Sequence, residues 1–233
     1  MGRPRIALLD ASHNEVNTRR NFRREIDADL VEFDASSGQL PRAFDFDAVV
    51  VTGSRSSVYW DEPWIRSLKE WVAEAIDRDL PVLGVCYGHQ LLAEVLGGTV
   101  EAMPDWEIGY HGITHNGTSR LFDGIDRDFV AFTTHSDEVT KLPAGATITA
   151  ENEYAIHGFE HGLVFGVQFH PEYDMRTAAQ ITVEKDLPAE RIDQVLDGIT
   201  ASAYADAQQA KRLFDNFLTI VADHRRTTEA VVS

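Results

Sequence analysis

The 233-residue sequence carries 38 acidic against 21 basic side chains, a net charge of −17. That excess excludes direct binding to nucleic acid or to an anionic membrane surface, and no stretch reaches the roughly 18 apolar residues of a membrane span. A single cysteine excludes an internal disulfide and any cysteine-rich metal site. Apolar residues make up 43%, enough for a substantial core. The N-terminus, Met1-Gly2-Arg3-Pro4-Arg5, lacks the apolar stretch and cleavage site of a signal peptide, so a cytoplasmic location is expected. Only Lys69, Lys141, Lys185 and Lys211 are lysines. Abundant Asp and Glu with few lysines point to a salt-loving source, where high salt screens the self-repulsion. An ordinary acidic cytoplasmic protein is the alternative.

Ile6 to Leu9 reads as a first strand, Asn14 to Arg24 as a helix, and Ala28 to Phe33 as a second strand. Phe46 to Thr52 is a third, ending in Gly53-Ser54. Trp60 to Asp77 has helical periodicity through Trp64, Leu68, Trp71, Val72 and Ile76. Leu80 to Val85 is the next strand, and a helix follows Cys86 and stops at Gly97-Gly98. This alternation predicts a mostly parallel sheet covered on both faces, a three-layer α/β architecture. Beyond Gly98 short strand candidates cluster at Val100 to Thr114, Phe129 to Thr134, Ala146 to Ala150, Tyr154 to Phe159 and Leu163 to Phe169. Turn residues separate them, which predicts antiparallel additions to the main sheet. The last third reads as helical: Ala178 to Lys185, a helix from Pro188 to about Ala207, and a final helix with Leu213, Phe214, Phe217, Leu218 and Val221 on one face. Arg225 to Ser233 reads as a frayed tail. No internal repeat is evident. The expected organisation is residues 1–187 as the main domain, with 188–233 a helical extension packed on it.

Cys86 sits in Leu83-Gly84-Val85-Cys86-Tyr87-Gly88-His89-Gln90, where an apolar run meets a helix between two glycines. A tight strand-to-helix turn exposes a thiol near helix N-terminal N–H groups, which stabilise a thiolate; a buried core cysteine is the plainer reading. A nucleophilic thiol needs a base, and the base an orienting group. In Gln168-Phe169-His170-Pro171-Glu172 an apolar strand ends in a histidine, and Glu172 can turn back once Pro171 breaks the strand. A solvated strand end is the alternative. After the strand ending at Val51, Gly53 can bring backbone N–H groups close to a ligand; paired with the Tyr87 N–H it would form an oxyanion hole, and a simple turn is the other reading.

Together these segments resemble the class I glutamine amidotransferases, the Cys-His-Glu type. Gly84 to Gln90 looks like that family's nucleophile elbow, Gln168 to Glu172 like its His/Glu signature, and Thr52-Gly53-Ser54 like its oxyanion loop. Thr134-His135-Ser136-Asp137-Glu138-Val139 matches a further family segment beside the pocket. The resemblance runs from about Ile6 to Glu172. It implies a flavodoxin-like fold and hydrolysis of the glutamine side-chain amide through a cysteine γ-glutamyl thioester. Cys86 would be the nucleophile, His170 the proton carrier, Glu172 its orienter, and Gly53 and Tyr87 the oxyanion hole. Gln90, His135 and Ser136 would contact substrate.

Other side chains read less sharply. His89 reads as packing rather than as a second base. Trp106, Tyr110 and His111 would either wall the pocket or be ordinary sheet residues, and Tyr59, Trp60 and Trp64 would either border it or pack in the core. His13, His115, His157, His161 and His224 show no convergent ligand spacing, and there is no zinc or phosphate-loop motif, so neither metal nor cofactor is expected. Nothing supplies an ammonia acceptor. The nearest likeness is to free-standing amidotransferases compared with the glutaminase part of GMP synthase, which implies a separate synthetase partner; the C-terminal helices would serve that partner, a homodimer, or simply cover the sheet. Hydrolysis of another γ-glutamyl amide or peptide uses the same chemistry, and a catalytically quiet regulatory protein is the third reading.

Overall fold

The computed structural model describes residues 2–232. Nine strands form one sheet: β1 (Arg5–Asp10), β2 (Asp29–Asp34), β3 (Ala48–Val51), β4 (Val82–Val85), β5 (Thr99–His115), β6 (Asp128–Lys141), β7 (Thr147–Glu151), β8 (Ile156–His161) and β9 (Val164–Val167). Their order is β2-β1-β3-β4-β9-β8-β7-β5-β6. The first five in that order pair in parallel, and from β9 onward every pairing is antiparallel. The parallel half is β-branched and fully buried at β3 and β4, as expected for strands covered on both faces. The flavodoxin-like expectation, with antiparallel additions, is met.

Seven α-helices cover this sheet: α1 (Val16–Glu25), α2 (Pro63–Asp77), α3 (Tyr87–Val95), α4 (Met175–Val183), α5 (Ala189–Gly198), α6 (Ala201–Ala207) and α7 (Arg212–Val232). Alternate residues of each parallel strand feed two apolar cores. Ile6, Leu8, Val50, Leu83 and Val85 pack with Phe22 of α1 and with Leu213, Phe214, Phe217 and Val221 of α7. Ala7, Leu9, Val49, Val51 and Val82 pack with Leu68, Trp71 and Val72 of α2 and Leu91 and Leu92 of α3. The period-2 alternation of the strands thus divides the apolar side chains between two helical layers.

Two helical expectations change. The single helix from Pro188 to Ala207 is two, because the chain leaves α5 at Ile199 and Thr200 starts α6 by accepting the Ala203 N–H at 3.2 Å. The predicted frayed tail from Arg225 is instead the last two turns of α7. There Arg225 pairs with Asp47 at 3.1 Å and donates to the Gly2 carbonyl at 3.1 Å. Ser233, the end of that predicted tail, lies outside the described residues. Strand β6 also runs on to Lys141, past the predicted end at Thr134, because β5 pairs with it along almost its whole length.

Candidate active site

Parallel register brings three strand ends together. Val51 of β3 pairs with Gly84 of β4, and Val85 of β4 pairs with Val167 of β9. The residues just beyond, Gly53, Cys86 and His170, therefore converge at the carboxyl edge of the sheet, where ligands of open α/β sheets bind. The Cys86 N–H donates to the Val167 carbonyl at 2.8 Å, and the His170 N–H donates to the Phe132 carbonyl of β6 at 2.8 Å.

Cys86 has φ 54° and ψ −103°, a left-handed, sparsely populated backbone for a side-chain-bearing residue. That turn lets α3 start at once on Tyr87. The flanking glycines serve close packing. A Cβ on Gly84 would stand 2.4 Å from the Gly88 carbonyl, and one on Gly88 would stand 2.4 Å from the Val51 carbonyl oxygen. Only bare backbone lets α3 lie this near β3 and β4.

The His170 ring is buried beside Cys86. Its Nδ1 donates to Glu172 Oε1 at 2.8 Å, which leaves Nε2 for the sulfur side. Burial disfavours the charged ring, but the Glu172 carboxylate and Cys86 outweigh it, and the His170 pKa is pushed up to about 10. Tyr173 stacks on this imidazole at 4.1 Å between centroids, with 18° between planes. Sequence reading missed Tyr173; its place one residue after His-Pro-Glu was the available signal. The following turn is anchored from α1: Arg24 donates to the Glu172 carbonyl at 2.6 Å and to Asp174 at 2.9 Å, and Asp174 caps α4 by accepting the Thr177 N–H.

Gly53 lies against both Cys86 and His170. A Cβ there would stand 3.0 Å from His170 Cε1 and 3.7 Å from the Cys86 Cβ. The loop beyond it is tied across the pocket to Asp137 of β6, which accepts from Ser57 at 2.6 Å and from Tyr59 at 2.9 Å. Gln90 Nε2 donates to the Asp137 carbonyl at 2.9 Å and to Gln168 at 3.0 Å. Gln90, His135 and Ser136 all line the cavity, which holds about 320 Å³ and reaches Cys86, His170 and Glu172.

His135 has both ring nitrogens engaged. Nδ1 lies 3.0 Å from the Asp137 carbonyl and Nε2 lies 2.8 Å from Glu107 Oε2. Glu107 also meets His157 Nε2 at 3.0 Å and accepts from Asn152 at 2.7 Å. Burial opposes ionisation of Glu107, but hydrogen bonds from the two imidazoles win and hold its carboxyl well below the usual range. Glu107, His135 and His157 offer three donor atoms within 4.8 Å of one another, the geometry that could hold a metal ion. They already meet at hydrogen-bond distance, so the cluster serves as a polar link across β5, β6 and β8. The spacing of His157 gave no hint of this, since its partners come from other strands.

His89 is wholly buried against Phe159, 5.1 Å between centroids, and burial pushes its pKa down to about 3, so it stays neutral and is packing. Trp106 lines the cavity. Tyr110 packs on Phe132 instead, and His111 on Tyr154. Tyr59 borders the site through Asp137, Trp60 is exposed, and Trp64 stacks on Tyr87 at 5.8 Å.

Residues 7–187 match the family model described as glutamine amidotransferase class-I. Among curated relatives, a glutamine-hydrolysing GMP synthase of Thermosipho africanus is 32% identical over 173 residues, covering 72% of this chain. Another from Azoarcus sp. is 34% identical over 188 residues, covering 74%. The chain spans only about a third of the length of these relatives, 32% and 34%. A solved glutamine amidotransferase of Thermotoga maritima superposes with a TM-score of 0.78 at 22% identity, covering 94% of this chain and 99% of that one, a likeness of fold. Among the described residues no helix is long and apolar enough to cross a membrane.

Proposed function

The chain belongs to the class I glutamine amidotransferase family, and from that premise we propose that it hydrolyses the side-chain amide of glutamine to glutamate and ammonia. The observation that carries the reading is a cysteine with a left-handed backbone at a strand-to-helix turn, beside a buried imidazole whose Nδ1 is bonded to Glu172.

On this reading the proton of Cys86 rests on His170, the thiolate Sγ attacks the amide carbon, and the carbonyl oxygen becomes an oxyanion directed at the N–H groups of Gly53 and Tyr87. Loss of one such donor costs about 3 kcal/mol of transition-state stabilisation. His170 carries its proton from the outset, so it can deliver it to the leaving nitrogen as the C–N bond breaks. Ammonia departs and a γ-glutamyl thioester remains. His170, now neutral, takes a proton from water; the resulting attack releases glutamate and restores the cysteine. Glu172 keeps the ring in one orientation and stabilises its charged form. Gln90, His135 and Ser136 shape the substrate side, with Ser136 the group best placed for direct contact, since the Gln90 amide nitrogen and both His135 nitrogens are engaged within the protein. No cofactor enters these steps. The family match ends at residue 187, and we read the later helices as an extension completing the same unit.

The curated relatives are named as glutamine-hydrolysing GMP synthases, of which this chain matches about a third. The ammonia acceptor would therefore lie on a separate synthetase. A cytoplasmic, salt-adapted setting fits the acidic composition. The test is ammonia release from free glutamine, together with labelling of Cys86 by a diazoketone analogue of glutamine. Cys86→Ala should lose both. Turnover of γ-glutamyl amines without glutamine would move the reading to another γ-glutamyl substrate. An unlabelled thiol in folded protein would leave a binding protein.

A further inference from the structure

One wall of the pocket takes no part in the chemistry above. Among the described residues one arginine and one lysine line the cavity: Arg55 on the loop after β3, and Lys185 on the turn between α4 and α5. Arg55 is exposed, whereas Lys185 is half-buried. The Lys185 ammonium sits 4.5 Å above the centroid of the Trp106 ring and makes no ion pair among the described residues. Burial depresses its pKa, while the charges of Cys86 and Glu184 work the other way, so the ammonium lies within the electrostatic reach of the nucleophile.

The platform beneath the ammonium is fixed. Trp106 lies where the pairing of β5 with β6 slips between Ala102 and Glu107. From α5, Arg191 Nη1 donates to both Asp105 carboxylate oxygens at 2.6 Å, and Nη2 donates to the Trp106 carbonyl at 2.6 Å. The C-terminal helices thus hold the bulge that carries the indole. An ammonium resting on an aromatic face still has N–H donors to offer. A half-buried cation with no carboxylate at ion-pair distance is a cost to the fold that a bound anion would relieve. In a chain of net charge −17, such a cation shares a cavity with Cys86.

We propose that Lys185 binds a carboxylate of the substrate and so sets which γ-glutamyl compounds the pocket accepts. This rests on the γ-glutamyl reading above. The carboxylate has two sources: the α-carboxylate of the glutamyl group, or one carried by the leaving amine, as in a γ-glutamyl amino acid.

Two preferences separate them, each a ratio of kcat/KM values in the full chain. Glutamine over 4-aminobutanamide, its analogue without the α-carboxylate, reports the first source. γ-Glutamylglycine over γ-glutamylethylamide reports the second. Lys185→Met should reduce one of these ratios by about tenfold or more, the loss expected for a charged hydrogen bond, chiefly through KM. Lys185→Arg, which keeps the charge, should retain most of it. Both ratios staying within about twofold of wild type would overturn the proposal. Calorimetric titration of Cys86→Ser with the same compounds, with and without Lys185→Met, reads recognition apart from turnover. Lys185-dependent binding without wild-type turnover would sink the hydrolase reading and keep this one; binding indifferent to Lys185 would sink this one.

Discussion

Gly53→Ala probes how tightly the β3 loop gauges the His170 imidazole and, with it, the proposed chemistry. Gly53 lies outside the left-handed region, so alanine needs no change of backbone. Its new Cβ would stand 3.0 Å from His170 Cε1, whereas carbon–carbon contacts relax at about 3.5–4.0 Å. The ring must therefore retreat by about half an ångström. It has little room, with Tyr173 stacked on it at 4.1 Å and Nδ1 held by Glu172 at 2.8 Å. Misplacing a reacting group by 1 Å costs about a hundredfold in rate, so half that displacement predicts about a tenfold loss in kcat/KM. The loop is partly exposed, so stability should fall by less than about 1 kcal/mol. Ammonia release from glutamine and thermal unfolding, measured side by side at high salt, check both numbers. A variant that keeps kcat/KM within about twofold of wild type would refute the claim that this contact sets the geometry.

Three more outcomes follow from the same structure. The folded pKa of His170 is raised from 6.5 to about 10, so the stabilisation it contributes is complete below 6.5 and is lost as pH rises through about 10; Glu172→Gln should move the alkaline decline of Tm and of activity to lower pH, and an unshifted profile would deny Glu172 that role. Glu107→Gln removes the charge shared by His135 and His157 and should cost about 3 kcal/mol in chemical denaturation, as broken buried pairs do. Because the Glu107 carboxyl is held low, its contribution is present above the usual carboxylate range and is lost on acidification, so the difference between the two proteins should shrink in acid. Finally, with a net charge of −17, Tm should climb steadily with added KCl; a flat response would remove the argument for a salt-adapted protein.

The parallel half of the sheet was legible because its strands are continuous apolar runs broken by glycine, and the two cysteine and histidine motifs sit at their ends. Local signals carried that much. What stayed hidden depends on partners distant in sequence. The family resemblance of its segment implies that His135 contacts substrate, yet both its nitrogens are engaged by Glu107 and the Asp137 carbonyl, and the Glu107 carboxylate is shared with His157 from another strand. The split between α5 and α6 was written in Gly198 and the capping Thr200, but the apolar periodicity on both sides masked it. The helical end of α7 is secured by Asp47, some 180 residues earlier, which no local pattern can announce.

Strand β9 occupies the middle of the sheet but is the last strand made. It enters between β4 and β8, and only then does His170 reach Cys86. During synthesis, β4 and its thiol emerge some 80 residues before the His170 imidazole. A half-made chain thus lacks the Cys86–His170 pair on which the proposed chemistry depends. The proposed activity would be a late event of folding, contingent on a long-range strand insertion of the kind that slows folding most.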